Sequence, residues 1–107
     1  MHHITSFAVA GATSIVVDGS LDVVAAYDLR CCVDAALRQR ARFVGLDLTR
    51  VTHADLDGAE GLRRCCAAAV ASGVALTITG CSRPLRADLA VLELKTRRAR
   101  SRAHTSF

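Results

Sequence analysis

Apolar runs in this chain repeatedly give way to stretches with helical period, and that alternation constrains the fold more than any other feature. The runs are Ser14-Ile15-Val16-Val17-Asp18, Phe43-Val44-Gly45-Leu46-Asp47-Leu48 and Val74-Ala75-Leu76-Thr77-Ile78-Thr79. Strands joined through helices cannot close as hairpins, so they pair in parallel through right-handed crossovers. From Val23 to Arg40 the apolar stripe is Leu29, Val33, Ala36 and Leu37, while Arg30, Asp34 and Arg38 face away. A second helix is predicted over 58–72, with Leu62, Cys66, Ala69 and Val70 on one side and Arg63 and Arg64 opposite. Gly73 ends it as a residue free to take positive φ. Ser82 and Pro84 open a third helix with the stripe Leu85, Leu89 and Leu92. Ahead of these, Phe7–Gly11 reads as a short, weak strand joined to Ser14–Asp18 by a hairpin. Gly19-Ser20 reads as the break that ends the second strand, and Thr49–Leu56 as polar and irregular. Narrow, one-sided stripes predict an α/β domain with a mixed sheet of four or more strands and helices mainly on one face.

At 107 residues the chain is long enough for one core and too short for two. Aromatics are 4% with no Trp, so that core is built from Ala, Val, Leu and Cys. No apolar run approaches the roughly 18–20 residues of a membrane span, and no membrane insertion is expected. The opening Met1-His2-His3-Ile4-Thr5-Ser6 lacks the basic and apolar regions of a secretory signal. Five cysteines without such a signal suit a reducing compartment, so a cytoplasmic location is expected. Cys31-Cys32, Cys65-Cys66 and Cys81 show no Cys-x-x-Cys spacing and no histidine at zinc-finger distance, so neither metal nor cofactor is expected. Free cysteine packs as a small apolar residue, which predicts a buried Cys66; a redox role or an adventitious metal is the second reading.

The net charge of +4 is unevenly spread. Residues 1–94 carry nine basic groups against ten acidic ones, while Lys95, Arg97, Arg98, Arg100 and Arg102 crowd an acid-free end. This divides the chain into a folded domain, 1–94, and a basic tail, 95–107, predicted to be solvated, disordered and dispensable for folding. Contact between the tail and nucleic acid or an acidic partner is the second reading; the folded part offers no nucleic-acid signature.

Four ionisable groups crowd the strand-to-helix connection Thr52-His53-Ala54-Asp55-Leu56-Asp57-Gly58-Ala59-Glu60-Gly61-Leu62, the kind of place where α/β sheets carry function. Asp55-Leu56-Asp57-Gly58 matches the nucleophile motif of haloacid-dehalogenase-type phosphatases. Yet it does not directly follow a buried strand, Ala59 stands where Thr is required, and no downstream Lys or second acidic pair lies in the folded part. A phosphatase-like enzyme using Asp55 and Asp57 is therefore a remote alternative. Read as a calcium loop, His53, Asp55, Asp57 and Gly58 fit, but Arg64 occupies the position of the bidentate Glu. Asp57 and Glu60 also have capping-box spacing, which makes Asp57 a candidate helix cap. No nucleophile with a base, phosphate loop or metal spacing survives, and the domain is expected not to be an enzyme.

The marks Gly19-Ser20-Leu21-Asp22, Leu46-Asp47-Leu48-Thr49-Arg50-Val51, Asp55-Leu56-Asp57-Gly58 and Gly73-Val74-Ala75-Leu76, with the Pro84/Leu89/Leu92 helix, come in an order that resembles the STAS family. The resemblance runs over about residues 6–94 and is to the bacterial anti-sigma-factor antagonists of that family. It implies a cytoplasmic regulator of sigma factors, and so of transcription, that acts by protein–protein binding. Its partner would be an anti-sigma factor that is also a GHKL-type kinase. In the family a serine of the Asp-Ser-Ser-Gly motif is phosphorylated to break that complex. Asp57 occupies its position and Leu56 that of the preceding serine, so the switch hydroxyl is missing. The partner surface so implied comprises Asp22, His53, Asp55, Asp57, Gly58 and Glu60. Asp22 reads equally as a polar helix edge and His53 as an exposed loop residue. A STAS subunit of a lipid or anion transporter is the alternative reading.

Overall fold

The computed structural model describes residues 1–91. Its elements are β1 (His2–Val9), β2 (Ala12–Leu21), α1 (Val23–Arg38), β3 (Phe43–Ala54), α2 (Leu56–Ala71) and β4 (Ala75–Cys81). The chain is helical again over 83–91, here α3. One sheet of order β1-β2-β3-β4 results, with β1 antiparallel to β2 and the other pairs parallel. Two successive crossovers of the same hand, stepping the same way along a sheet, lay both helices on one face. That face presents Ile15 and Val17 from β2 and Val44, Leu46 and Leu48 from β3, all buried. Leu29 and Val33 from α1, Leu62 and Cys65 from α2, and Leu85 from α3 close the core over them. Each such aliphatic burial contributes about 1.5–3 kcal/mol. The α/β architecture read from the sequence is the one observed.

Three strands run further than their sequence suggests. β1 begins at His2, pairing with β2 from His2↔Gly19 to Val9↔Ala12. β2 passes through Gly19 and Ser20 to Leu21, with its pairing to β3 shifted there. Gly19, at φ +100, is required because a Cβ would collide with the Met1 carbonyl; it serves a close approach and does not end the strand. β3 continues to Ala54, so most of the segment read as irregular is strand. Its pairing with β4 runs out at Leu48↔Cys81. Beyond that point side chains of the following segment take over its outer edge. The Ser82 hydroxyl donates to the Val51 carbonyl (2.6 Å), and the Asp88 carboxylate accepts the Ala54 N–H (2.9 Å). Ser82 also caps α3 by accepting the Leu85 N–H (3.1 Å).

Both long helices end in the same way. In α2, Gly73 sits at φ +72; its N–H reaches the Val70 carbonyl (3.0 Å) and the Val74 N–H the Ala69 carbonyl (2.9 Å). In α1 the same pair of bonds runs from Arg40 to Leu37 and from Ala41 to Ala36, both 3.1 Å, with Arg40 at φ +59. That left-handed residue explains why α1 stops at Arg38 and does not reach Arg40. On α2 the buried stripe is Gly58, Leu62, Cys65 and Ala69, so Cys65, not Cys66, is the core thiol. Cys66 is half-buried and Val70 is 75% exposed, because they are rotated away from α1 and off the core. Leu92 and the tail 95–107 lie outside the described residues.

Candidate functional site

The carboxyl ends of β2 and β3 lie side by side, with Leu21 opposite Ala54, and each strand turns directly into a helix. The next residue in each case is an aspartate that caps. Asp22 accepts the Ala25 N–H (2.9 Å) at the start of α1, and Asp55 accepts the Gly58 N–H (2.8 Å) at the start of α2. The Ala25 N–H, above all, holds the Asp22 carboxyl below its ordinary value of 3.8. The two turns are bound to each other. The Asp55 N–H donates to the Leu21 carbonyl (3.3 Å), and Gly58 lies so close to that carbonyl that no Cβ fits. One turn further on, Gly61 leaves room only for Ala26 of α1. These glycines set the close approach of α1 and α2.

The capping box expected at Asp57 and Glu60 is therefore absent. The cap is Asp55, two residues earlier, because strand pairing carries β3 to Ala54 and leaves the next residue at the turn. Asp57 lies in the first turn of α2 with its side chain exposed. Glu60 is engaged by Arg63 one turn on. His53 is exposed, on β3 opposite Ser20 rather than in a loop.

Of the six residues read as a partner surface, Asp57 and Glu60 come together in one groove. It has a volume of about 280 Å³ between α1 and α2, and Val23, Ala26, Tyr27, Arg30, Gly61 and Arg64 complete its wall. Arg30 is held by Asp34 (2.9 Å). Asp22, Asp55, Gly58 and His53 are not part of its wall; Asp22 and Asp55 cap the two helices that form it. Sequence reasoning missed the apolar rim. Val23 (60% exposed), Tyr27 (70%) and Leu56 (60%) stand open to solvent around the acidic pair. The available signal was that Val23 and Tyr27, the only tyrosine, fall outside the α1 stripe.

Apolar side chains held open by rigid helix ends suit the recognition of another macromolecule. No three of His, Cys, Asp and Glu converge into a metal site among the described residues. No helix among them is long and apolar enough to cross a membrane.

Solved structures share this architecture at low identity. An anti-sigma factor antagonist from Mycobacterium paratuberculosis matches with a TM-score of 0.71 at 16% identity, over 90% of this chain and 81% of that one. The anti-sigma factor antagonist SpoIIAA in its unphosphorylated form matches with a TM-score of 0.62 at 21% identity, over 86% and 82%. Mglu matches with a TM-score of 0.68 at 21% identity over 76% of this chain, which spans only 20% of that larger protein. These likenesses show the fold. No curated protein matches in sequence. The STAS domain model matches residues 7–97, most of the chain, and with the mixed sheet and its one-sided helices this settles the lineage: the chain belongs to the STAS domain family.

Proposed function

We propose that the chain is an anti-sigma-factor antagonist, a non-enzymatic protein of the bacterial cytoplasm that binds a GHKL-type anti-sigma factor and so acts on transcription. The observation that carries this reading is the pair of locked helix starts presenting Val23, Tyr27 and Leu56 around Asp57 and Glu60. Structural neighbours that are themselves antagonists support it. Asp57 stands at the family's phosphorylated serine, and because Asp55 is the cap, Asp57 is free to act at the surface. A carboxylate carries one negative charge and offers no hydroxyl to phosphorylate. A phosphoserine carries about −1.5 to −2. Asp57 is thus a permanent, partial imitation of the phosphorylated state.

The test begins with capture from an extract of the source cells and identification by mass spectrometry. A GHKL protein is the expected catch; an ATP-binding cassette complex would instead assign the chain to a transporter. Calorimetry against the captured kinase then compares wild type, Asp57→Ser and Asp57→Ala, each with and without ATP. Only Asp57→Ser takes up phosphate and loses affinity when ATP is added. Wild type binds a borrowed, serine-adapted kinase less tightly than Asp57→Ala does, since like charge at a contact is costly, while a partner adapted to the aspartate binds it in full. Phosphate on residues 52–62 of wild type, or identical binding by all three, would defeat the reading.

A further inference from the structure

The opposite end of the sheet gathers three turns into one surface. The N–H groups of Arg42 (2.7 Å) and Phe43 (3.4 Å) both donate to the Gly11 carbonyl, and the Ala75 N–H donates to the Arg42 carbonyl (3.3 Å). Over residues 7–14, 37–45 and 67–78, which form these turns and the ends they join, the charged residues are Arg38, Arg40 and Arg42. There is no acid among them. All three arginines are exposed and none forms an ion pair among the described residues.

Exposed apolar side chains surround them: Phe7 (56%), Val9 (68%), Phe43 (60%) and Val70 (75%). Val9, Ala12, Phe43 and Ala75 form one row across the sheet face that carries no helix, with Phe7 in the next row. Val70 emerges from α2 on the other side. Apolar groups therefore flank this tip on both faces of the sheet. Arg40 also keeps a side chain at φ +59, where glycine is cheaper and where α2 uses Gly73.

We propose that this acid-free tip docks the domain end-on onto an anionic phospholipid surface. The arginines lie level with phosphate headgroups while Phe7, Val9, Phe43 and Val70 enter the boundary with the acyl chains. Charge selects an anionic partner, and the apolar ring selects a lipid one. A nucleic acid could stack on the phenylalanines but leaves Val9 and Val70, on opposite faces, without a role. The contact is an association with the surface and not a span. It leaves the groove at the far end of β3 pointing away from the bilayer, and it stands independently of the proposed partner.

The chain has no Trp, so Phe43→Trp and Leu56→Trp each place one reporter at an exposed position, at opposite ends. With phosphatidylglycerol-containing vesicles the Phe43→Trp emission shifts to the blue, and salt reverses the shift. Pure phosphatidylcholine gives none, and Leu56→Trp is unmoved by either. In co-sedimentation of the full chain, Arg40→Gln with Arg42→Gln lowers partitioning roughly tenfold or more. Replacing Arg97, Arg98, Arg100 and Arg102 by Gln leaves that dependence on the tip intact. The proposal is overturned by a shift at 56 without one at 43, by unchanged partitioning of the double variant, or by binding that responds only to the tail. Loss of oligonucleotide binding in the double variant with vesicle binding preserved would overturn it in favour of nucleic acid.

Discussion

Asp55 and Asp57 carry the same charge on the same turn but hold different positions. The Asp55 carboxylate is bonded to the Gly58 N–H, whereas Asp57 is exposed beside the groove. Asp55→Ala should cost about 1 kcal/mol, within the 0.5–2 kcal/mol usual for a lost cap. Asp57→Ala should cost only a few tenths, the weaker interaction of a charge with the helix dipole. Urea unfolding of both variants checks the order; the reverse order would restore Asp57 as the cap. Asp22 adds a pH signature. Its folded value lies below 3.8, so its stabilisation is complete above 3.8 and is lost as pH falls through the depressed value. Asp22→Asn keeps the acceptor and flattens that part of the acid limb. A capping aspartate in the motif was legible, but it was read as Asp57, from the spacing to Glu60, and the cap is Asp55. The choice between them was not legible, because it depends on how far strand pairing carries β3, and Leu21↔Ala54 is a contact between distant parts of the chain.

The strand cores and the helical stripes were legible because their periods are written locally: Ile15 and Val17 alternate in β2, and Leu29, Val33 and Ala36 recur on α1. Their ends were not. The run through Gly19 depends on the close approach of Met1, and the run from Val51 to Ala54 depends on pairing with the far end of β2 on one edge and on Ser82 and Asp88 along the other. The expectation of Cys66 in place of Cys65 as the buried thiol failed for the same reason, since adjacent residues differ by about 100° around a helix and only the packed partner chooses between them. The contact between α2 and the β2–α1 turn makes its own prediction. Gly58→Ala forces a methyl against the Leu21 carbonyl and should destabilise by about 1–3 kcal/mol, the usual cost of overpacking. Urea midpoints read this directly, and a neutral result would mean that the two helix starts are not locked together.

Across the whole molecule the five thiols grade burial from surface to centre. Cys31 is exposed, and Cys65 is fully buried, with its pKa pushed up to about 11 by desolvation. A thiol reagent at neutral pH should therefore modify Cys31 in the fastest phase and Cys65 last, at a rate that rises with urea in step with global unfolding. Fast modification of Cys65 in the native state would mean that α2 opens independently of the sheet. Charge is graded along the same body, acidic around the paired helix starts and basic at the three-turn tip. From His53 to Glu60 no side chain carries a hydroxyl, and Asp57 is charged from the moment it is synthesised. A phosphoserine is an erasable mark with a history, written and removed many times in one polypeptide's lifetime. In a protein that works as proposed here, the aspartate has no such history. Its state is inherited from the gene, and the cell can reset it only by making or destroying the molecule.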